Sequence, residues 1–250
     1  MKCKLTFVCL GLGALVTSRL FGEEGIKHPV EVTTTERFAF APGGIIRVNG
    51  AYGHLSVEGW DEPAVEITVT KSKEHDYGPE QQEHAKQLLE RVRVVAERHS
   101  DTELDVSTIL PRRGFFRRVA PPPFPRTTEH GVQVDYDIHV PRDSRLVIRH
   151  RGGYVMVSDV LGGIEATNRS GDMIVMLPDP RAYAIDAKSK VGPVSFDFAD
   201  AAHRLYRLGE RLAFGSPAPS RRVYLRVGIG SITIQEAPPG AEAPGAVRAK

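Results

Sequence analysis

Cysteine is almost absent from this chain: Cys3 and Cys9 are its only two, and both fall within the first nine of 250 residues. Everything downstream of them is without disulfides and without thiolate chemistry. A long apolar run is also missing. The stretch Leu5 to Val16 follows the cationic Met1 to Lys4 and is too short to span a bilayer, so residues 1–22 read as a secretory signal peptide cleaved after Ser18 or Gly22. Cys9 follows Val8 rather than the small residue of a lipoprotein signal, which argues against a lipid anchor. Both cysteines leave with the signal, and the mature protein is expected in the periplasm, at the cell surface or outside the cell. A strong charge of either sign is lacking too. The 33 Lys and Arg stand against 31 Asp and Glu, and the formal +2 falls to about zero or −1 once Lys2 and Lys4, with or without Arg19, are removed. Nucleic acid as a partner loses its main electrostatic support.

What the chain does have is a recurring glycine. Setting Gly153, Gly171 and Gly192 each as zero places apolar residues at −7, −5, +2 and +4, a register no helix produces. Leu146, Ile148, Val155 and Val157 form the first copy, Ile164, Ala166, Met173 and Val175 the second, and Ile185, Ala187, Val194 and Phe196 the third. The register returns around Gly230 as Val223, Leu225, Ile232 and Ile234, and around Gly53 as Ile46, Val48, Leu55 and Val57. Each copy reads as strand, tight turn, strand, with a structural glycine where a Cβ would strike the next copy. Units that cannot bury their own apolar face gain a core by stacking at roughly 4.8 Å between strands. The fold class is therefore all-β, a β-solenoid or stacked β-helix-like repeat, or a sandwich of two stacked sheets built the same way. The steps between glycines are eighteen (153 to 171), twenty-one (171 to 192) and thirty-eight (192 to 230), so one degenerate copy is expected within Ala199 to Ser220.

A single domain is expected over 28–236, with an insertion at 79–128 and a disordered Ala, Pro and Gly tail at 237–250. Glu31 to Ala41 reads as a lead-in strand and Ala64 to Thr70 as another. In the insertion, Pro79 to Glu90 has a helical spacing of Ala85, Leu88, Leu89 and Val92, and Arg91 to Leu110 reads as a hairpin around Ser100, Asp101 and Thr102. Arg112 to Thr128 is a basic, proline-containing loop. His130 to Val140 returns to strict alternation.

The lead-in ending in Pro42-Gly43-Gly44, the unit Ile46 to Trp60 closing in Gly59-Trp60-Asp61, the Val140-Pro141 entry and the succession of Gly-x-apolar-x-apolar copies resemble a bacterial putative adhesin family. The resemblance covers most of Glu31 to Glu236. It implies a secreted or envelope-associated β-solenoid domain of unknown function, and it brings no catalytic residues with it.

Function is expected from surface rows. At −4 the copies carry Arg149, Thr167, Lys188 and Arg226, and at −2 Arg151, Arg169, Lys190 and Gly228. Stacking aligns these cations, and an anionic polysaccharide or an envelope surface or protein lying along them would relieve their repulsion; the alternative is a solvated face that discourages edge aggregation. Arg113, Phe115, Phe116, Arg117 and Arg118 set aromatic rings among cations, which suits a membrane or partner contact; the alternative is an ordinary flexible loop whose two phenylalanines pack back on the solenoid. Val147, Met156 and Ile174 form an outward apolar row, for which the helix or the hairpin after it is the expected cover and a partner protein the alternative. No cofactor and no metal are expected. Asp135, Asp137 and His139 alternate as ligands could, but a solvated strand face has the same pattern. His54, His130 and His150 have no partners at motif spacing, Gly228-x-Gly230 has no following helix, and Asn168 in Asn-Arg-Ser reads as a turn residue. The second functional reading, a secreted carbohydrate-active β-helix enzyme, rests on Glu165 and Asp186 being row neighbours, with Asp172 on the other strand set.

Overall fold

The computed structural model describes residues 30–73, 79–110, 131–197, 202–215 and 221–237. The signal segment, the whole basic loop with its flanks (111–130) and the tail from 238 lie outside the described residues. Three strands and a fourth open the described chain: β1 (Glu31–Ala39), β2 (Ile45–Tyr52), β3 (Leu55–Trp60) and β4 (Ala64–Lys73). The helix α1 (Pro79–Glu90) precedes β5 (Arg93–Ser100), β6 (Glu103–Ile109) and β7 (Val132–Pro141). Next come β8 (Arg145–Gly152), β9 (Val155–Ser158), β10 (Ile164–Ser170), β11 (Met173–Leu177), β12 (Tyr183–Val191) and β13 (Val194–Phe196). The last four are β14 (Ala202–Leu205), β15 (Glu210–Phe214), β16 (Arg221–Ile229) and β17 (Ile232–Glu236).

These strands form two mixed sheets, one ordered β1-β4-β7-β3-β9-β11-β17-β13 and the other β14-β15-β12-β16-β10-β8-β2-β6-β5. Each glycine-centred copy gives its first strand to the nine-stranded sheet and its second to the eight-stranded sheet. The alternation predicted from sequence holds along both: Leu146, Ile148, Val155 and Val157 are buried and Met156 is half-buried between the last two. The inward residues of both sheets belong to one core.

Neighbouring copies pair in parallel and in the expected register, as in Ile164 opposite Leu146 and Met173 opposite Val155. Their order differs from the tandem order. The C-terminal pair β16 and β17 lies between the Gly171 copy and the Gly192 copy, with Leu225 opposite both Ala166 and Ala187. No degenerate parallel copy fills the described part of 199–220; β14 and β15 pair antiparallel, and β15 pairs antiparallel with β12. The thirty-eight-residue step therefore holds a hairpin that extends the sheet, and the chain then doubles back to insert its last copy.

The corners stack in the spatial order Gly53, Gly153, Gly171, Gly230, Gly192. All five have positive φ, between 105° and 144°. A Cβ on Gly153 would lie 1.9 Å from the Gly53 carbonyl oxygen, on Gly171 2.1 Å from that of Gly153, on Gly230 2.2 Å from that of Gly171, and on Gly192 2.3 Å from that of Gly230. Conformation and close approach thus require glycine at the same atoms. The amides continue the ladder around the bend, Gly153 N–H donating to Ser170 O (2.9 Å) and Gly171 N–H to Ile229 O (2.8 Å).

Three residues behind Gly153, Gly171 and Gly192 the chain turns a polar side chain inward, and there His150, Asn168 and Ser189 are buried. His150 Nε2 lies 3.1 Å from Gly53 O, Asn168 Nδ2 donates to Gly153 O (2.9 Å), and Ser189 Oγ donates to Gly230 O (2.7 Å). Each spans to the glycine of the adjacent copy and satisfies a carbonyl that would otherwise be buried with spare acceptor capacity. Asn168 is accordingly a fully buried residue inside β10, not a turn residue. Burial pushes the His150 imidazole below its ordinary pKa, against the smaller upward pull of the Gly53 and Gly152 backbone hydrogen bonds, so it sits neutral at the corner.

The helix does not cover Met156 and Ile174. It packs on β4 and β1, where Ala85, Leu89 and Val92 join the common core and Lys71 Nζ donates to Val92 O (3.1 Å). The hairpin of β5 and β6 joins the nine-stranded sheet, β6 running parallel to β2. Met156 and Ile174 remain half-buried on the outer face of the eight-stranded sheet, opposite Ser56 and Thr233.

The corner geometry separates two glycine substitutions. Gly43 also has positive φ, but nothing lies within 4 Å of an added Cβ. Gly43→Ala is expected to cost about 1 kcal/mol of backbone strain, whereas Gly153→Ala, facing backbone oxygen, costs upwards of ~3 kcal/mol. Urea unfolding midpoints measure both, and equal shifts would contradict the stacked-corner account.

Candidate functional site

The outward residues of the nine-stranded sheet come from alternate positions of β8, β10, β12 and β16, so the copy register becomes rows across strands. The −4 row runs Arg204, Arg211, Lys188, Arg226, Thr167, Arg149, Asn49 in spatial order. Parallel pairing places Lys190, Gly228, Arg169 and Arg151 along the next row toward the corner. All six basic residues expected from the repeat lie on this one face. The interleaved copy sets Arg226 between Thr167 and Lys188, and sets Gly228, without a side chain, between Arg169 and Lys190. Arg204 and Arg211 extend the row and were missed from sequence, because they belong to an antiparallel hairpin outside the glycine register. The alternation of Arg211 and Ala213 in β15 is the signal that could have found Arg211.

The cations divide into two sets. Asp186 ties down the first: its carboxylate accepts from Arg211 Nε (2.9 Å) and Nη2 (2.8 Å) and from Arg226 Nη2 (2.9 Å). Arg226 also donates to Asp186 O (2.8 Å), and its guanidinium lies 3.6 Å from the centre of the Tyr224 ring. Partial burial pushes the Asp186 pKa up, but hydrogen bonds and charge from the two guanidiniums outweigh it and hold the carboxyl below its ordinary value. Lys188 Nζ lies 5.0 Å from the Tyr206 ring centre. The second set is Arg149, Arg169 and Lys190, which are exposed and, among the described residues, make no ion pair or side-chain hydrogen bond. Arg151 is exposed and has a partner of its own. Toward β5 the face changes sign, and there Arg47 is engaged by Glu103 and Asp105.

The acidic residues do not assemble into an acid–base pair. Glu165 and Asp186 share a row but are not neighbours, because Tyr224 pairs with both and stands between them. Asp172 lies in the turn just before β11 of the other sheet, where its Oδ1 accepts from Ser231 N–H (2.8 Å) and Oγ–H (2.7 Å). On β7, Asp135 accepts from His54 N–H (2.6 Å) and Gln133 Nε2 (2.9 Å), while His139 stacks on Trp60 with ring centres 5.2 Å apart. Among the described residues no group of three His, Cys, Asp or Glu is placed to hold a metal ion. The His54 ring packs 4.7 Å from that of Tyr154. Arg113, Phe115, Phe116, Arg117, Arg118 and His130 lie outside the described residues.

No protein-family model matches this chain, and no curated protein matches it. Among solved structures it is similar to a putative cell adhesion protein from Clostridium sporogenes, at 13% identity over 82% of this chain and 100% of that one, with a TM-score of 0.41. It is also similar to a putative adhesin from Bacteroides fragilis, at 11% identity over 81% of this chain and 97% of that one (TM-score 0.30). A putative adhesin from Parabacteroides distasonis matches at 12% identity over 82% and 73% of the two chains (TM-score 0.26).

Asp186 is the carboxylate that pairs the first set of cations. Asp186→Asn removes the charge that holds Arg211 and Arg226, so stability at pH 7 should fall by about 1 kcal/mol, the half-exposed guanidiniums being partly screened. Because the folded carboxyl pKa lies below the unfolded value, this contribution is full above the unfolded pKa and is lost as pH falls through the folded one. The stability difference between wild type and variant should therefore close in strong acid. A difference that persists unchanged at pH 2, measured by thermal melts, would contradict this role.

Proposed function

We propose that this chain is an exported, non-catalytic, adhesin-like binding module that holds an anionic polymer of the cell envelope, such as an acidic polysaccharide, along the outer face of its nine-stranded sheet. The observation that carries the reading is the set Arg149, Arg169 and Lys190, which come from two adjacent rows of one sheet face, are exposed, and have no ionic partners among the described residues. Lys190 and Arg169 flank Gly228 at two strand spacings, about 10 Å. Unpartnered cations at that distance repel by only about 0.4 kcal/mol per pair in water, so the free protein tolerates them. A chain carrying a negative group every few ångströms turns the same spacing into several simultaneous attractions, and salt weakens all of them together.

Parallel pairing, glycine corners and a shared core support a solenoid-like stack of copies, closed at its two ends by antiparallel strands. A stack of that kind supplies a flat face on which one row of side chains repeats at strand spacing, which suits a repeating polymer better than a small molecule. The apolar run Leu5 to Val16 supports export, and the periplasm, cell surface and extracellular space all suit an envelope ligand.

The test is retention on immobilised polygalacturonate. Wild type should bind at low salt and elute as ionic strength rises, and the triple variant Arg149→Ser, Arg169→Ser, Lys190→Ser should bind about tenfold more weakly with an unchanged urea midpoint. Unchanged retention of the variant would sink the basic-face reading. Release of reducing ends from the polymer would overturn the non-catalytic one.

A further inference from the structure

The most exposed large apolar side chains among the described residues cluster at one end of the corner ridge. Leu205, at the end of β14, is 80% exposed, and Leu208, in the turn to β15, is 70% exposed. The turn is closed by Tyr206 N–H donating to Gly209 O (2.7 Å) and is fastened to the ridge by Gly192 N–H donating to Leu208 O (2.9 Å). Beside it stand Val191 and Ile229, partners in register and also exposed, at 39% and 44%. Isolated exposed leucines mean little, but four exposed apolar side chains on one turn and the ridge it is fastened to call for a cover.

The surroundings decide what kind of cover fits. Arg204 and Arg207 flank the leucines in sequence and are exposed, and Lys190 and Arg169 line the ridge on its nine-stranded side. The carboxylates at hand are occupied: Glu210 accepts from Val194 N–H (2.9 Å), and Asp172 is held by Ser231. An exposed apolar tip flanked by cations matches an anionic bilayer surface, in which leucines enter the headgroup boundary while Arg and Lys meet lipid phosphate. Two signals acting together, apolar and basic, are what lasting attachment to a membrane surface takes. Among the described residues no helix is long and apolar enough to cross a membrane. We infer that the turn Leu205 to Leu208, with Val191 and Ile229, docks this protein onto the surface of an anionic lipid bilayer.

The experiment uses the full chain with Cys3 and Cys9 replaced by Ser and an environment-sensitive fluorophore on Leu208→Cys, mixed with vesicles of phosphatidylcholine alone or with phosphatidylglycerol added. The label should shift to the blue on the anionic vesicles only, and the shift should disappear in high salt. In sedimentation with the same vesicles, Leu205→Ser with Leu208→Ser should bind about tenfold more weakly than wild type, with an unchanged melting temperature because both side chains are exposed. A label whose emission ignores anionic vesicles overturns the proposal, even if the chain sediments through Leu5 to Val16. So does a label that shifts with protein concentration alone, which would make a second copy the cover. The basic-face reading stands or falls separately on the polygalacturonate column.

Discussion

The structure depends on how closely one backbone corner can approach the next. At each bend between the two sheets the carbonyl oxygen of one copy's glycine lies where the next copy's Cβ would be, 1.9 to 2.3 Å from it. That approach keeps the amides of the bend in the inter-strand ladder, so the parallel pairing of one sheet continues around the corner into the other. Without it, the backbone groups of five bends would lose their partners beside a hydrophobic core. The row of buried His150, Asn168 and Ser189 follows from the same constraint, because the crowded glycine carbonyls need donors from inside.

From the corner the rest of the architecture follows in steps. Copies held at strand spacing bring their −7, −5, +2 and +4 residues into one core, and they force the outward −4 and −2 residues into rows. The charge pattern of the nine-stranded face is thus a product of the repeat. Where β16 enters the stack it brings Arg226, which Asp186 neutralises together with Arg211, and Gly228, which leaves an opening between two free cations. Where the hairpin of β14 and β15 closes the stack it exposes Leu205 and Leu208 at its turn. The proposed polymer-binding face and the proposed bilayer contact therefore share an end, so a molecule attached through the tip would present its basic face beside the membrane.

The apolar plan was legible because period-two alternation around glycine has no other structural source: Leu146, Ile164, Ile185, Val223 and Ile46 are all buried as their register requires. The helix, the hairpin after it and the lead-in strand were legible for similarly local reasons. The order of the copies was not, since alternation says which side chains share a face and nothing about which copy lies alongside which. The long connection between Phe196 and Arg221 lets the last copy enter between two earlier ones. That single rearrangement separates Glu165 from Asp186 and removes the neighbouring carboxylates that an enzyme reading needed. The inward polar row escaped because a histidine or asparagine at an inward position makes sense only once the carbonyl it faces is known. Of the candidate site, the repeat cations were legible and their division into paired and unpaired sets was not, because Asp186, Arg211 and Arg226 meet only across strands distant in sequence.

The interleaved order is the central claim, and proximity cross-linking tests it most directly. Ile174, Thr233 and Ser195 lie in one outward row of the eight-stranded sheet, with Thr233 paired to both of the others. With Cys3 and Cys9 replaced by Ser, mild oxidation should join the cysteine pair Ile174→Cys, Thr233→Cys and the pair Thr233→Cys, Ser195→Cys. It should leave Ile174→Cys, Ser195→Cys open, because two strand spacings, about 10 Å, exceed the reach of a disulfide. Rapid bridging of positions 174 and 195, with 233 left unpaired to 174, would mean that the copies stack in their order along the chain and would contradict the account.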